Sequence, residues 1–255
     1  MSRPTLIVVA DDFGLSPEVD AGILETVCYG TVTTVDAIVN PPFAADPKTI
    51  QTAGASLGLH LNLTHGYPCS AASHVPSLTD RAGRFLGRHE ESLARADLDE
   101  VKCEWRQQVD RFRERVGHLP CHVSVHKQLH RRSPRLLAIA AQVARQCVAP
   151  LRTLDPAMRD ACRALGALTT DEFIGDVRPA PYWTLARLRE QIEGIADGIT
   201  EVMCHPGKNM KPIDGLRYVA ERDVERETFC SPEARALLAR FHLVPCSAAL
   251  FEGSG

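Results

Sequence analysis

Aromatic residues are scarce in this chain, since Phe, Trp and Tyr make up only 5% of its 255 residues. A long row of stacking platforms for an extended polymer is therefore not expected. Neither sign of charge dominates: the formal net charge is −3 and the isoelectric point is near 6.4. Because a nucleic-acid-binding protein usually carries a basic surface, we predict no nucleic-acid partner.

Long apolar runs and paired cysteines are also missing. No stretch approaches the roughly 20 apolar residues of a membrane span, and the N-terminus reaches acidic residues too early for a secretory signal. The nine cysteines are scattered without a C-x-x-C pair, which argues against a disulfide framework and against a thiolate zinc site. We therefore expect a cytoplasmic protein with reduced thiols and no membrane span.

Strand-like and helix-like segments alternate along the chain. The predicted strands cover residues 5–10, 33–39, 56–63, 122–126, 147–152, 199–204 and 241–244. The main predicted helices cover residues 16–29, 97–116, 134–146, 155–165, 183–195 and 231–240. This alternation predicts an α/β fold with a mainly parallel sheet covered on both faces. We expect a single domain over residues 1–255, with a loop-rich insertion at about 65–96 that could carry substrate loops.

Polar residues follow several of the predicted strands. The first strand, "LIVVADDFGL", runs directly into Asp11 and Asp12, although repulsion and burial both disfavour adjacent carboxylates. His60 lies in the third strand, His126 ends "HVSVH", and His205 follows "ITEVMC". In parallel α/β folds the carboxyl ends of the strands meet at one edge, where catalytic residues gather. We therefore expect these five side chains to share a site.

The residue types fit a metal-assisted hydrolase. Two imidazoles and one carboxylate, here His60, His126 and Asp12, can bind a divalent cation and leave positions open for water or substrate. The cation would offset the repulsion within the acidic pair and would acidify a water. Asp11 would then act as the base, and His205 would protonate a departing amine. These roles describe amide hydrolysis.

Each assignment has a structural alternative. The acidic pair could cap a helix, although Ser16 and Pro17 already supply that cap. A lone His60 would more often be a hydrogen-bonded histidine of the core. The residues His122, His126 and His130 share one face, so their spacing alone does not select the metal ligand.

Several segments together resemble the YdjC-like carbohydrate deacetylases, a family that includes chitooligosaccharide deacetylases and hopanoid-biosynthesis-associated members. The resemblance covers nearly the whole chain through "VVADDFGLS", "GTVTTVDAIVN", "LGLHLNLTHGYP", "HVSVHKQLH", "EVMCHPG" and "RYVAERDVERETFCSPEARALL". It implies a distorted (β/α) TIM-like barrel that removes acetyl groups from N-acetylated sugars with one divalent metal ion, Zn²⁺ or Mg²⁺. It also selects the residues: Asp12, His60 and His126 as ligands, Asp11 as the base, and His205 within a His-Pro motif.

The chain departs from the family pattern at two positions. Many members carry an aspartate two residues before the last metal histidine and often a histidine two residues after it, whereas this chain has Ser124 and Gln128. Changes beside metal ligands alter metal affinity or activity by about 10- to 100-fold, so metal binding is still expected, whereas efficiency and substrate choice depend on these positions. Four further residues are candidates for substrate contact: Asn62, His130, Arg152 and Tyr67. A salt bridge is the alternative role for Arg152.

The resulting hypothesis is a hydrolase that removes the N-acetyl group of an amino sugar or a sugar-bearing metabolite and releases acetate and a free amine. Two alternatives remain: a barrel that binds a glycan or metabolite without turnover, and a non-haem Fe(II) enzyme with the same two-histidine, one-carboxylate set. The Fe(II) enzymes typically use all-β scaffolds with a close H-x-D pair, which this site lacks. The sequence does not decide the oligomeric state, and a homodimer stays an open alternative.

Overall fold

A parallel sheet forms the centre of the fold in the computed structural model, which describes residues 3–42, 45–87, 90–177, 180–213 and 215–249. Its strands are β1 (Thr5–Phe13), β2 (Thr34–Ala37), β3 (Ser56–Leu61), β4 (Val123–Val125), β5 (Glu172–Ile174), β6 (Ile199–Cys204) and β7 (His242–Leu243). The order across the sheet is β4-β3-β2-β1-β6-β5, and β7 pairs with the start of β1. All these pairings are parallel, and the sheet curls into a half-barrel surrounded by helices. The predicted α/β barrel class is confirmed.

Helices surround the sheet, and most of them follow the predicted pattern. They are α1 (Pro17–Tyr29), α2 (Lys48–Thr52), α3 (Glu90–Arg95), α4 (Leu98–Val116), α5 (Pro134–Cys147), α6 (Pro156–Ala164), α7 (Leu185–Glu193), α8 (Glu221–Phe229), α9 (Pro232–Leu238) and α10 (Cys246–Ala249). Four of them begin at a Ser-Pro or Asp-Pro pair whose side-chain oxygen accepts a hydrogen bond from the backbone three residues on: Ser16, Ser133, Asp155 and Ser231. Among the described helices, none combines the length and apolar character needed to cross a bilayer.

The prediction of a strand over residues 147–152 is wrong. Cys147 belongs to α5, and only Leu151 forms an isolated parallel bridge, with Val123 of β4. The chain is held against β4 by two backbone hydrogen bonds, from Val123 to Pro150 and from Arg152 to Val123. Pro150 has no amide hydrogen, so a regular ladder cannot form along this segment.

The segment predicted as a loop-rich insertion at 65–96 packs onto the core in its described part. It contains a short 3-10 helix at Ala72–His74, an isolated antiparallel bridge and α3. Val75, Leu78 and Phe85 are buried among the core residues. The assignment of the whole chain to one domain stays a prediction.

Candidate active site

An irregularity in β1 turns both adjacent aspartates toward one side. Successive residues of a regular strand point to opposite faces, but the pairing of β1 with β2 shifts register between Ala10 and Phe13. Asp12 sits in this bulge with a left-handed backbone, φ 76°. That conformation is uncommon for a residue other than glycine, and strained backbone of this kind is found repeatedly at functional sites. As a result, Asp11 and Asp12 both line the same cavity.

The three predicted metal ligands form a tight cluster. Asp12, His60 and His126 come from β1, from β3 and from the residue after β4, and each offers one ligand atom within 4.8 Å of the others. Asp12 Oδ1 lies 2.9 Å from His126 Nδ1 and 3.3 Å from His60 Nε2. All three side chains are buried.

The cluster fits a divalent cation. Asp12 Oδ1 is buried and has no hydrogen-bond partner, even though two imidazole nitrogens approach it closely. A buried carboxylate oxygen without a hydrogen bond is costly unless a cation neutralises it. Two nitrogens and one oxygen are also a donor set typical of divalent metals. The other oxygen of Asp12 accepts a hydrogen bond from Arg222. Burial alone would raise the pKa of Asp12, but His126 and Arg222 hold it well below its ordinary value.

Asp11 is held by an arginine. Both oxygens of Asp11 accept hydrogen bonds from the Arg152 guanidinium, at 2.5 and 2.9 Å. The third guanidinium donor, Nε, binds Glu201 at 2.5 Å. Asp11 Oδ2 also lies 3.8 Å from the Nε2 atoms of His60 and His205. Asp11 is therefore fixed in orientation and faces both His60 of the candidate ligand cluster and His205, the predicted acid.

A second layer of buried charge lies behind this pair. His122 Nδ1 lies 2.8 Å from Asp36 on β2, and its Nε2 lies 3.3 Å from Glu201 on β6. Burial acts to lower the pKa of His122, but the two carboxylates raise it to about 10, so the ring is a cation at neutral pH. Burial likewise acts to raise the pKa of Asp36, and His122 and Arg152 outweigh it and lower that pKa. The sequence analysis missed Asp36 and Glu201, although both are carboxylates within otherwise apolar strands.

His205 is positioned by α8. Its backbone N–H donates to Glu225 at 2.6 Å, and its ring packs edge-on against Tyr218, which also donates to Glu225. Burial lowers the pKa of His205 to about 4, so the ring is neutral at pH 7. The loop after His205 approaches α1 closely: a Cβ atom on Gly22 would lie 2.4 Å from the Cα of Gly207.

These side chains open into a cavity of about 460 Å³, a size typical of small-molecule sites. Asp11, Asp12, His60, His126 and His205 all line it. Its other lining residues are Val125, Lys127, Gln128, Arg131, Arg132, Asp176, Val177, Met203, Leu216, Tyr218 and Arg222. The structure thus brings together the five residues to which the sequence analysis gave chemical roles.

Comparison with known proteins gives the same family as the sequence motifs. The family model described as YdjC-like protein matches residues 5–240, which is most of the chain. The chain belongs to the YdjC-like family. A mouse protein named carbohydrate deacetylase is 31% identical over 96% of this chain and 94% of its own length. A Serratia marcescens protein named chitooligosaccharide deacetylase is 31% identical over 92% of this chain and 94% of its own length.

A solved structure of a YdjC-like relative supports the fold assignment. A putative cellobiose-phosphate cleavage protein from Enterococcus faecalis superimposes with a TM-score of 0.81 at 27% identity, and the match covers 96% of this chain and 97% of that one. A lactam utilization protein from Thermus thermophilus gives a TM-score of 0.54 at 13% identity, over 96% and 99% of the two chains, which shows similarity of fold alone.

Four residues were predicted to contact the substrate: Asn62, His130, Arg152 and Tyr67. None of the four lines the described cavity. Asn62 is buried, and its amide is used by Asn40 and the turn at Thr64 and His65. His130 is buried with its Nε2 3.1 Å from the carbonyl of Arg152. Both side chains therefore have partners inside the protein and lie outside the described cavity lining, and a substrate contact of either residue stays a prediction.

The other two candidates also have different surroundings from those expected. Arg152 is buried against Asp11 and Glu201, so the salt-bridge alternative describes its observed role. Tyr67 is 37% exposed, and its hydroxyl accepts a hydrogen bond from Arg84. Arg222 and Tyr218 line the cavity instead. Both lie within the segment quoted as "RYVAERDVERETFCSPEARALL": Tyr218 comes before α8, and Arg222 lies in its first turn.

Proposed function

We propose that this protein removes the acetyl group from the nitrogen of an amino sugar or a sugar-bearing metabolite, in a reaction that depends on a divalent metal. Relatives named carbohydrate deacetylase and chitooligosaccharide deacetylase support a hydrolase that acts on amides. The observation that carries the metal dependence is the buried, unpartnered Asp12 Oδ1 between His60 Nε2 and His126 Nδ1.

The protein residues divide the proposed work. Asp12, His60 and His126 would hold the cation, either Zn²⁺ or Mg²⁺, which when bound would polarise the amide carbonyl and acidify a water. Asp11 would take the proton of the attacking water, because the bidentate contact with Arg152 fixes the direction of its lone pairs. His205 would pass a proton toward the departing amine.

His205 has to gain a proton before it can donate one. Its pKa, lowered to about 4 by burial, makes the ring neutral at pH 7. Asp11 Oδ2 lies 3.8 Å from His205 Nε2, so the proton that Asp11 accepts has a short route to this ring. We therefore assign the two residues to one proton path across the cavity.

The test is acetate release from a panel of N-acetylated sugars, acetylated glycolipids and glycosylated metabolites. We expect the metal-loaded protein to release acetate from at least one class and to lose this activity with a chelator. Asp11→Asn should bind metal as the parent does and lose at least about 100-fold in kcat, since a positioned base contributes about 10²- to 10⁴-fold.

Asp80→Asn is the control, because Asp80 is an exposed carboxylate far from the cavity lining whose contacts are local to the 80–84 turn. It should keep full activity. A protein that binds the metal and releases no acetate from any member of the panel would favour the alternative of a binding protein without turnover. Full activity of Asp11→Asn would remove Asp11 from the mechanism.

A further inference from the structure

Ser124 lies directly behind the cluster of Asp12, His60 and His126 and connects His60 to the Asp36 carboxylate. It is fully buried on β4 and stands opposite His60 in the pairing of β3 with β4. Its Oγ lies 2.6 Å from His60 Nδ1 and donates a hydrogen bond to Asp36 Oδ2 on β2. The three side chains therefore form a continuous chain from β2 through β4 to β3.

The direction of these hydrogen bonds follows from the donors around Asp36. His122, a cation, lies 2.8 and 3.0 Å from the two oxygens of Asp36, and an Arg152 nitrogen lies 3.7 Å away. A carboxylate surrounded by donors is itself an acceptor, so the single hydroxyl proton of Ser124 points to Asp36. Ser124 Oγ can then only accept from the ring of His60, which requires the proton of His60 to be on Nδ1.

We infer that Ser124 and Asp36 act as positioning residues that hold His60 in the tautomer with its proton on Nδ1, so that Nε2 is the atom offered to the cation. Nε2 is the nitrogen that lies 3.3 Å from Asp12 Oδ1. The outer hydrogen bond of a metal-binding histidine commonly sets its tautomer and ring orientation in this way. The consequence for metal affinity rests on the proposed function, whereas the tautomer can be measured without any metal.

This arrangement gives a structural role to Ser124, one of the two positions noted in the sequence analysis. Its hydroxyl links the Asp36 carboxylate to the ring of the proposed ligand His60. Space for Asp36 comes from Gly58 on β3, because a Cβ atom there would lie 2.0 Å from Asp36 Oδ1. The Ser124 hydroxyl therefore bridges the Asp36 carboxylate and the His60 ring.

The first test is nuclear magnetic resonance of the metal-free protein at alkaline pH, where the imidazole is neutral. Selective ¹³C and ¹⁵N labelling of histidine distinguishes the two tautomers by the ring shifts. We expect His60 of the parent protein to carry its proton on Nδ1. Ser124→Ala should lose this preference, and Ser124→Thr, which keeps the hydroxyl, should retain it. A proton on Nε2 in the parent protein would overturn the inference.

The second test is metal affinity, measured by calorimetric titration of the same proteins with Zn²⁺ and with Mg²⁺. We expect Ser124→Ala to bind about 10- to 100-fold more weakly than the parent, in line with the usual effect of removing such a partner. Ser70→Ala is the matched control, since its buried hydroxyl contacts Cys103 alone among the described residues and lies outside the cavity lining. Equal affinity of Ser124→Ala and the parent would overturn the role in metal binding.

The two tests separate the inference from the proposed function. A parent protein with the expected tautomer and no affinity for either metal would contradict the proposed metal dependence and leave the hydrogen-bond relay supported. A parent protein that binds metal with its proton on Nε2 would contradict the relay alone. If Ser124→Ala fails to fold, the tautomer of the parent protein still decides the question.

Discussion

Glu225 is a single buried residue whose charge opposes folding. It accepts hydrogen bonds from the Tyr218 hydroxyl and from the backbone N–H groups of His205 and Trp183, and Arg222 lies nearby. Even with these donors, burial raises the pKa of Glu225 to about 7. Its neutral form is therefore favoured in the folded protein, and the unfolded chain, with an ordinary glutamate pKa, ionises first as the pH rises.

The raised pKa of Glu225 determines how the stability of the folded protein changes with pH. Between about pH 4.5 and pH 7 the folded state binds more protons at Glu225 than the unfolded state, so stability falls as the pH rises through this window. The Glu225→Gln variant lacks this titration. Between about pH 4.5 and pH 7 we therefore expect the free energy of unfolding of the parent to fall by roughly 3 kcal/mol relative to that of the variant. Urea denaturation at a series of pH values measures this difference.

Both proteins keep the other buried titratable groups, so the difference isolates Glu225. Glu233→Gln supplies the control, because Glu233 is exposed on α9. It should show a difference from the parent that does not vary with pH. A Glu225→Gln variant with the same pH profile as the parent would contradict the raised pKa.

At the scale of elements, α4 holds the segment that follows β3. Glu104 on this helix accepts hydrogen bonds from the backbone N–H groups of Cys69 and Ser70 and from the side chain of Asn40. Glu100, one turn earlier, accepts from the backbone and hydroxyl of Ser77. Residues 65–87 have little regular secondary structure, and two carboxylates of one helix accept hydrogen bonds from backbone N–H groups in this segment.

We predict that Glu104→Ala loosens this segment selectively. The substitution removes the acceptor of a part-buried backbone donor at Cys69 and of a buried one at Ser70, and the buried donor left unsatisfied costs about 1 to 3 kcal/mol. Hydrogen exchange followed by mass spectrometry should show faster exchange in peptides covering residues 65–87, while peptides of β6 stay protected. Asp110→Ala, at an exposed position of the same helix, should leave exchange unchanged. Uniform acceleration across the whole chain would contradict a local role.

The elements differ in how well the sequence predicted them, and the reason is physical. The helix α1 follows from its Ser16-Pro17 start and from Gly30, whose left-handed backbone ends it. The helix α8 was missed because its buried face carries the polar residues Arg222, Glu225 and Thr228, which give no apolar period. The strand β5 was missed because its three residues are exposed or half-buried.

The same limit applies to the candidate site. Asp11, Asp12, His60, His126 and His205 could be predicted because each lies at or near the end of an apolar strand, and parallel strands bring those ends together. The roles of Arg152, Asp36 and Glu201 depend on contacts between β1, β2, β6 and the chain beside β4. Pairings between residues 49 to 141 positions apart in the sequence leave no periodic signal.

At the scale of the whole molecule, the proposed cation would join three strands. Asp12, His60 and His126 are far apart in sequence, and the strands that position them bring them together only in the folded protein. A ligand that binds the folded state alone stabilises it by about 2.7 kcal/mol at a concentration 100 times its Kd. For a chain of this size, we expect the midpoint of thermal unfolding to rise by roughly 5 to 10 °C with saturating metal and to fall back with a chelator.

His126→Ala should abolish this rise, because it removes one of the three ligands and leaves the Asp12 carboxylate facing a single imidazole. His74→Ala, at an exposed histidine of the 3-10 helix, should show the same rise as the parent and so exclude nonspecific binding to histidine. Thermal unfolding of all three proteins with and without metal makes the comparison. An equal rise in His126→Ala would place the cation elsewhere in the molecule, and the buried oxygen of Asp12 would then need a different partner.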